Sequence, residues 1–176
     1  MTSLALRACL LLALVRLPVV TCQSGVNVSQ VLKDITSQVD ARVRPVKNFA
    51  TTTVVNVSFH LMSINEFDTV KQKLMSNGWL QVQWINEYAT WNPADYGGVI
   101  FVNPDPDKMW RPRLTVQNTM KDLKPIGEDY VVMVSVCTGL TIWYPAERFE
   151  TFCSVDVTYF PFDIQVNVVL RSTLSL

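Results

Sequence analysis

Soft metal ligands are scarce in this chain: 176 residues contain one histidine, His60, and four cysteines, Cys9, Cys22, Cys137 and Cys153. His60 falls in a strand-like run with no cysteine or carboxylate at ligand spacing, which predicts a solvent-side strand residue rather than a base or a metal ligand. Only six glycines are present, and none sits in a phosphate-cradling loop or a nucleophile elbow. Asp105 and Asp107 flank Pro106 in a loop without further oxygen ligands, the pattern of a solvated turn and not of a calcium site. Neither sign of charge dominates, with 15 basic and 15 acidic residues, so there is no electrostatic footprint for nucleic acid. These absences leave an enzyme without support and imply no cofactor.

Long apolar runs are missing as well. The one concentrated stretch, residues 8–15, is broken by Arg16 and Pro18 and is far short of the ~20 residues a spanning helix needs. With Arg7 before it and the small residues Thr21 and Cys22 after it, it reads as a secretory signal peptide over residues 1–22. No other segment predicts a transmembrane span. Removing that leader takes away Arg7 and Arg16 and leaves a net charge of about −2. The tripeptides Asn27-Val28-Ser29 and Asn56-Val57-Ser58 are glycosylation sequons and fit the secretory route. Secreted proteins usually pair their cysteines, but a hairpin turn expected at Thr138-Gly139 carries Cys153 away from Cys137. An unpaired thiol is therefore expected.

What is present is β-rich. Residues 28–39 carry apolar side chains at Val28, Val31, Leu32, Ile35 and Val39, the spacing of one short amphipathic helix. From residue 51 onward branched and aromatic residues alternate with polar ones, notably at 52–59, 79–84, 130–136 and 140–144. Asn77-Gly78, residues 93–98, residues 103–107 and residues 124–127 are expected as turns. The sum is an all-β, immunoglobulin-like antiparallel β-sandwich with a short N-terminal helix, in one domain over residues 23–176. Near its end, Phe160-Pro161-Phe162 has the pattern of a tight turn with a cis bond, folding Phe160 and Phe162 back to back. Asp156 and Asp163 are placed to cap turn amides or to face basic side chains, and two solvated carboxylates are an equal reading.

The run from Cys153 through Asp156, Phe160, Pro161, Phe162 and Asp163 resembles the signature loop of the Cys-loop family, the pentameric neurotransmitter-gated ion channels. Arg44-Pro45-Val46, the paired tryptophans Trp79 and Trp84 with Trp91, Met109-Trp110-Arg111-Pro112, and the segment from Gly139 through Trp143 to Pro145 extend the resemblance over residues 31–165. Within the family the chain is most similar to nicotinic acetylcholine receptor subunits and the secreted acetylcholine-binding proteins. The resemblance implies the extracellular ligand-binding domain of a cation-channel subunit, incomplete at its C-terminus and truncated before the transmembrane region. Alternatives are a soluble transmitter sink and a non-functional or dominant-negative splice product. Its implied partners are a small cationic neurotransmitter and the other subunits of a pentamer. Its implied location is the secretory pathway, then the cell exterior or the cell surface beside full-length subunits.

The resemblance also implies site residues. Trp79, Gln81, Ile142 and Tyr144 match the complementary face of a cation site shared between subunits, where π faces hold an amine. The plain readings are a core tryptophan for Trp79 and a surface aromatic for Tyr144. Trp84, Trp91 and Trp110 are expected in the scaffold. The principal face is poor: Gln117 stands for its first tyrosine, Arg113 for an aspartate, and its tryptophan falls near Leu174. Asn167 stands where the family closes its loop with a second cysteine.

Overall fold

A computed structural model describes residues 24–38, 40–127, 131–159, 162 and 172–175. The expected signal peptide at residues 1–22, Val39, Phe160, Pro161, Asp163 and Asn167 lie outside the described residues.

Helix α1, Gly25–Ser37, begins where the Ser24 side chain accepts the amide of Val26, one of the orphan donors of a first helical turn. Its apolar stripe is buried through Val31 and Ile35, with Val28 and Leu32 packed beside them. The Tyr96 hydroxyl donates to Asp34 at 2.8 Å and ties the helix to a short 3-10 turn, Pro93–Tyr96. That bond also pushes the Tyr96 phenol above its ordinary pKa.

Among the described residues seven strands follow: β1 Asn56–Asp68, β2 Lys73–Thr90, β3 Phe101–Val102, β4 Arg113–Val116, β5 Val131–Val136, β6 Thr138–Phe152 and β7 Ser172–Ser175. Five form an antiparallel sheet in the order β1-β2-β6-β5-β3, and β4 pairs with β7 in a second sheet. Even-numbered residues of β2 from Leu74 to Trp84 are buried, as are Thr141, Trp143, Pro145 and Phe149 of β6. This period of two turns one face of the large sheet inward. Leu114 and Val116 of β4 join Leu80, Val82, Trp84, Met133 and Trp143 in one core, completing the all-β sandwich with its N-terminal helix. Trp84 and Trp110 meet edge to face at 5.7 Å, and the Trp91 indole donates to the Val99 carbonyl at 2.7 Å. All three are scaffold, as expected.

Two expectations about the strands need correction. β1 starts at Asn56 rather than at residue 52, and it runs on to Asp68. Asn77-Gly78 is not a turn but lies inside β2, paired with Ser63 and Leu61. Gly78 is there for close approach, because a Cβ on it would stand 2.6 Å from the Phe59 ring and 2.8 Å from the His60 carbonyl oxygen. The reversal instead uses Asp68, whose carboxylate accepts the amides of Val70 and Lys71, and Gln72, which takes φ 51°. The β5–β6 hairpin is centred on Thr138 as expected, with Gly139 supplying φ 86°.

Candidate functional site

The outward face of the large sheet carries the candidate residues. Trp79 and Gln81 of β2 and Ile142 and Tyr144 of β6 are all half-buried on it. Register pairs Trp79 with Ala146 and Gln83 with Ile142, which sets Gln81 opposite Tyr144. The rings of Trp79 and Tyr144 are 5.7 Å apart and tilted by 56°, within the range of a favourable aromatic pair. Gln81 stands beside both, and Ile142 lies one row further along the sheet. Trp79 is therefore not a core tryptophan.

His60 belongs to this group and was not among the residues expected there. It is exposed, as a solvent-side strand residue, but it pairs with Trp79 across the β1–β2 ladder. Its imidazole stacks on the indole at 3.9 Å with the planes 7° apart. The signal for it was the β1–β2 register, which a turn at Asn77-Gly78 conceals.

The group stands on an open surface. A recess of about 640 Å³ is lined by Trp110, Arg111 and Trp143, and another of about 540 Å³ by Val116, Ile126 and Phe149. Neither is lined by Trp79 or Tyr144. A third recess, about 470 Å³ and wide open to solvent, adjoins the group through Asn77, Ala146 and Arg148.

The other candidate residues lie elsewhere. Arg113 and Gln117 are exposed on and just after β4, in the second sheet, and Leu174 pairs in register with Leu114. Cys153 is buried just beyond β6, its amide donating to the Gln72 carbonyl at 2.8 Å, and burial pushes its thiol pKa up. Cys137 precedes β6, so the 15 residues of that strand separate the two free thiols by on the order of 45 Å. Asp156 caps a turn: the Thr158 hydroxyl and amide donate to its carboxylate and hold its pKa below the ordinary range. Phe162 is exposed, with its amide donating to the Tyr159 carbonyl at 2.7 Å. Asp105 accepts the Asp107 amide, and Asp107 pairs with Arg111 at 2.9 Å. Of the two sequon asparagines, Asn56 is exposed on the outward face. Asn27 is half-buried, with its amide nitrogen 2.3 Å from where a Cβ on Gly97 would stand.

Residues 28–169 match the neurotransmitter-gated ion-channel ligand binding domain. The chain belongs to that family. The ligand-binding domain is similar to acetylcholine receptor subunit alpha-1-A of Xenopus laevis, 33% identical over 142 residues that make up 81% of this chain and 31% of the relative. It is 30% identical to acetylcholine receptor subunit alpha-like 2 of Drosophila melanogaster over 89% of this chain and 27% of the relative. Against the acetylcholine receptor subunit alpha of Danio rerio the identity is 35%, over 70% of this chain and 27% of the relative. The chain thus spans about three tenths of the length of these receptor subunits. Among the described residues no helix is long and apolar enough to cross a membrane. The family is one of ligand-gated channels, not of enzymes in the ordinary sense.

Proposed function

We propose that this chain is the extracellular ligand-binding domain of a nicotinic-type cation-channel subunit, and that it lends the complementary half of a transmitter site to a neighbouring subunit. The observation that carries this reading is the position of Trp79, half-buried on the outward sheet face with Tyr144 beside it. An indole is the strongest side-chain π donor toward an ammonium, contributing about 0.5 to 2 kcal/mol. Gln81 supplies a polar group next to the ring and Ile142 an apolar margin. A small quaternary or protonated amine fits this chemistry, and relatives named as acetylcholine receptor subunits favour such a ligand.

Because the face is open, the second wall of the site comes from the neighbour in a pentamer. Gln117, Arg113 and Leu174 bring no aromatic ring to their positions, which favours this chain as a complementary partner rather than a principal one. Delivery to the cell exterior depends on the leader at residues 1–22, with a glycan chiefly on the exposed Asn56. The test is acetylcholine binding by the chain co-expressed with a complete nicotinic subunit, with and without Trp79→Ala. A loss of roughly two- to thirty-fold is expected on removing the ring. Unchanged affinity rules out the complementary face.

A further inference from the structure

His60 does more than flank the site. Its ring lies parallel to the Trp79 indole at 3.9 Å, so one π face of Trp79 is already covered by a side chain of the same molecule. Imidazole is also the side-chain type that changes charge between about pH 5 and pH 8. A neutral imidazole on that face is an aromatic cover. A protonated one is a cation held against the indole, with the geometry of a cation–π contact.

We propose that His60 is a specificity-determining residue of the Trp79 site, which admits a cationic ligand when its imidazole is neutral and opposes it when protonated. This rests on the reading of Trp79 as a cation-binding ring. On β2, the strand packed against β1, the outward neighbours of His60 are Asn77, Trp79 and Gln81, none of them charged. Across β2, β6 brings Ala146 opposite Trp79 with Tyr144 and Arg148 on either side, and the recess beside Asn77 and Ala146 is also lined by Lys121 and Glu147. Glu147, the one carboxylate of that set, is outnumbered by Arg148 and Lys121, so these groups together carry no net negative charge to neutralise an imidazolium. The proton taken up from solvent therefore adds a full positive charge beside the ring. A ligand ammonium on the opposite face of the indole, about 8 Å away, then binds roughly two- to thirty-fold more weakly for an effective dielectric of about 80 to 20.

The experiment has two arms. In the first, the chain alone is studied by proton magnetic resonance, where a single histidine gives one unambiguous set of ring signals. Stacking on an indole is expected to move those signals upfield, and Trp79→Leu to remove the displacement; undisplaced signals in the wild type overturn the proposal. In the second, acetylcholine, whose quaternary ammonium does not titrate, is bound to the co-expressed assembly at about pH 8 and about pH 5.5. The wild type is expected to lose roughly two- to thirty-fold in affinity on acidification, and His60→Phe and His60→Gln to lose much less. Equal losses in the wild type and both variants overturn the proposal while leaving the cation site intact. No acetylcholine binding at either pH overturns the proposed function and this inference with it.

Discussion

The Phe59 ring lies so close over Gly78 that a Cβ on the glycine would stand 2.6 Å from a ring carbon. That contact locks β1 onto β2 in the register that sets His60 against Trp79. Gly78→Ala is expected to destabilise the domain by about 1 to 3 kcal/mol, because the His60 carbonyl at 2.8 Å belongs to the backbone and has little freedom to withdraw. Urea denaturation measures it. Gly25→Ala is the control, since nothing lies within 4 Å of a Cβ there. Equal stability of the two variants contradicts the packing argument.

The same contact explains what was hard to see from the residues alone. Asn-Gly is a strong turn signal, yet here tertiary packing recruits the glycine for close approach and Asp68 to Gln72 make the turn without glycine or proline. Element types and the core stripe through Leu80, Val82 and Trp84 follow from local periodicity and were legible. Register is a relation between strands, and moving the turn changes every partner. That Trp79, Gln81, Ile142 and Tyr144 share one sheet face was therefore legible, while the pairing of His60 with Trp79 required the three-dimensional register.

Acid titration gives a second check. Arg42 bonds the Asp40 carboxylate through its side chain and its backbone amide, and holds its pKa at about 2 instead of 3.8. Since the folded-state value is the lower one, the stabilisation is present above about pH 4 and is lost as pH falls toward 2. The pair is exposed, so the effect on stability is small. Arg42→Ala is expected to return the Asp40 midpoint toward 3.8, read by carboxyl resonances. A wild-type midpoint already at 3.8 contradicts the pairing.

The thiols report on the signature loop. Cys153 is buried and Cys137 half-buried, and both are free. Alkylation mapped by mass spectrometry is expected to modify Cys137 in the native protein and Cys153 only after denaturation. A Cys153 that resists alkylation in denaturant is disulfide-bonded, contrary to this account.

Glycan occupancy separates the two sequons. Asn56 is open, whereas the Asn27 amide nitrogen is packed against Gly97. Asn56→Gln is expected to remove most of the glycosidase-sensitive mass, and Asn27→Gln little of it. The reverse pattern contradicts the helix packing.

The central claim is that this chain holds half of a cation site. Its most direct test is calorimetric titration of acetylcholine into the purified chain and into the chain assembled with a complete nicotinic subunit. A single open face with one strong ring predicts millimolar or weaker binding by the chain alone, and at least about a tenfold gain when a neighbour supplies about three further rings at about 0.5 to 2 kcal/mol each. Low-micromolar binding by the isolated chain, or no gain on assembly, would contradict it.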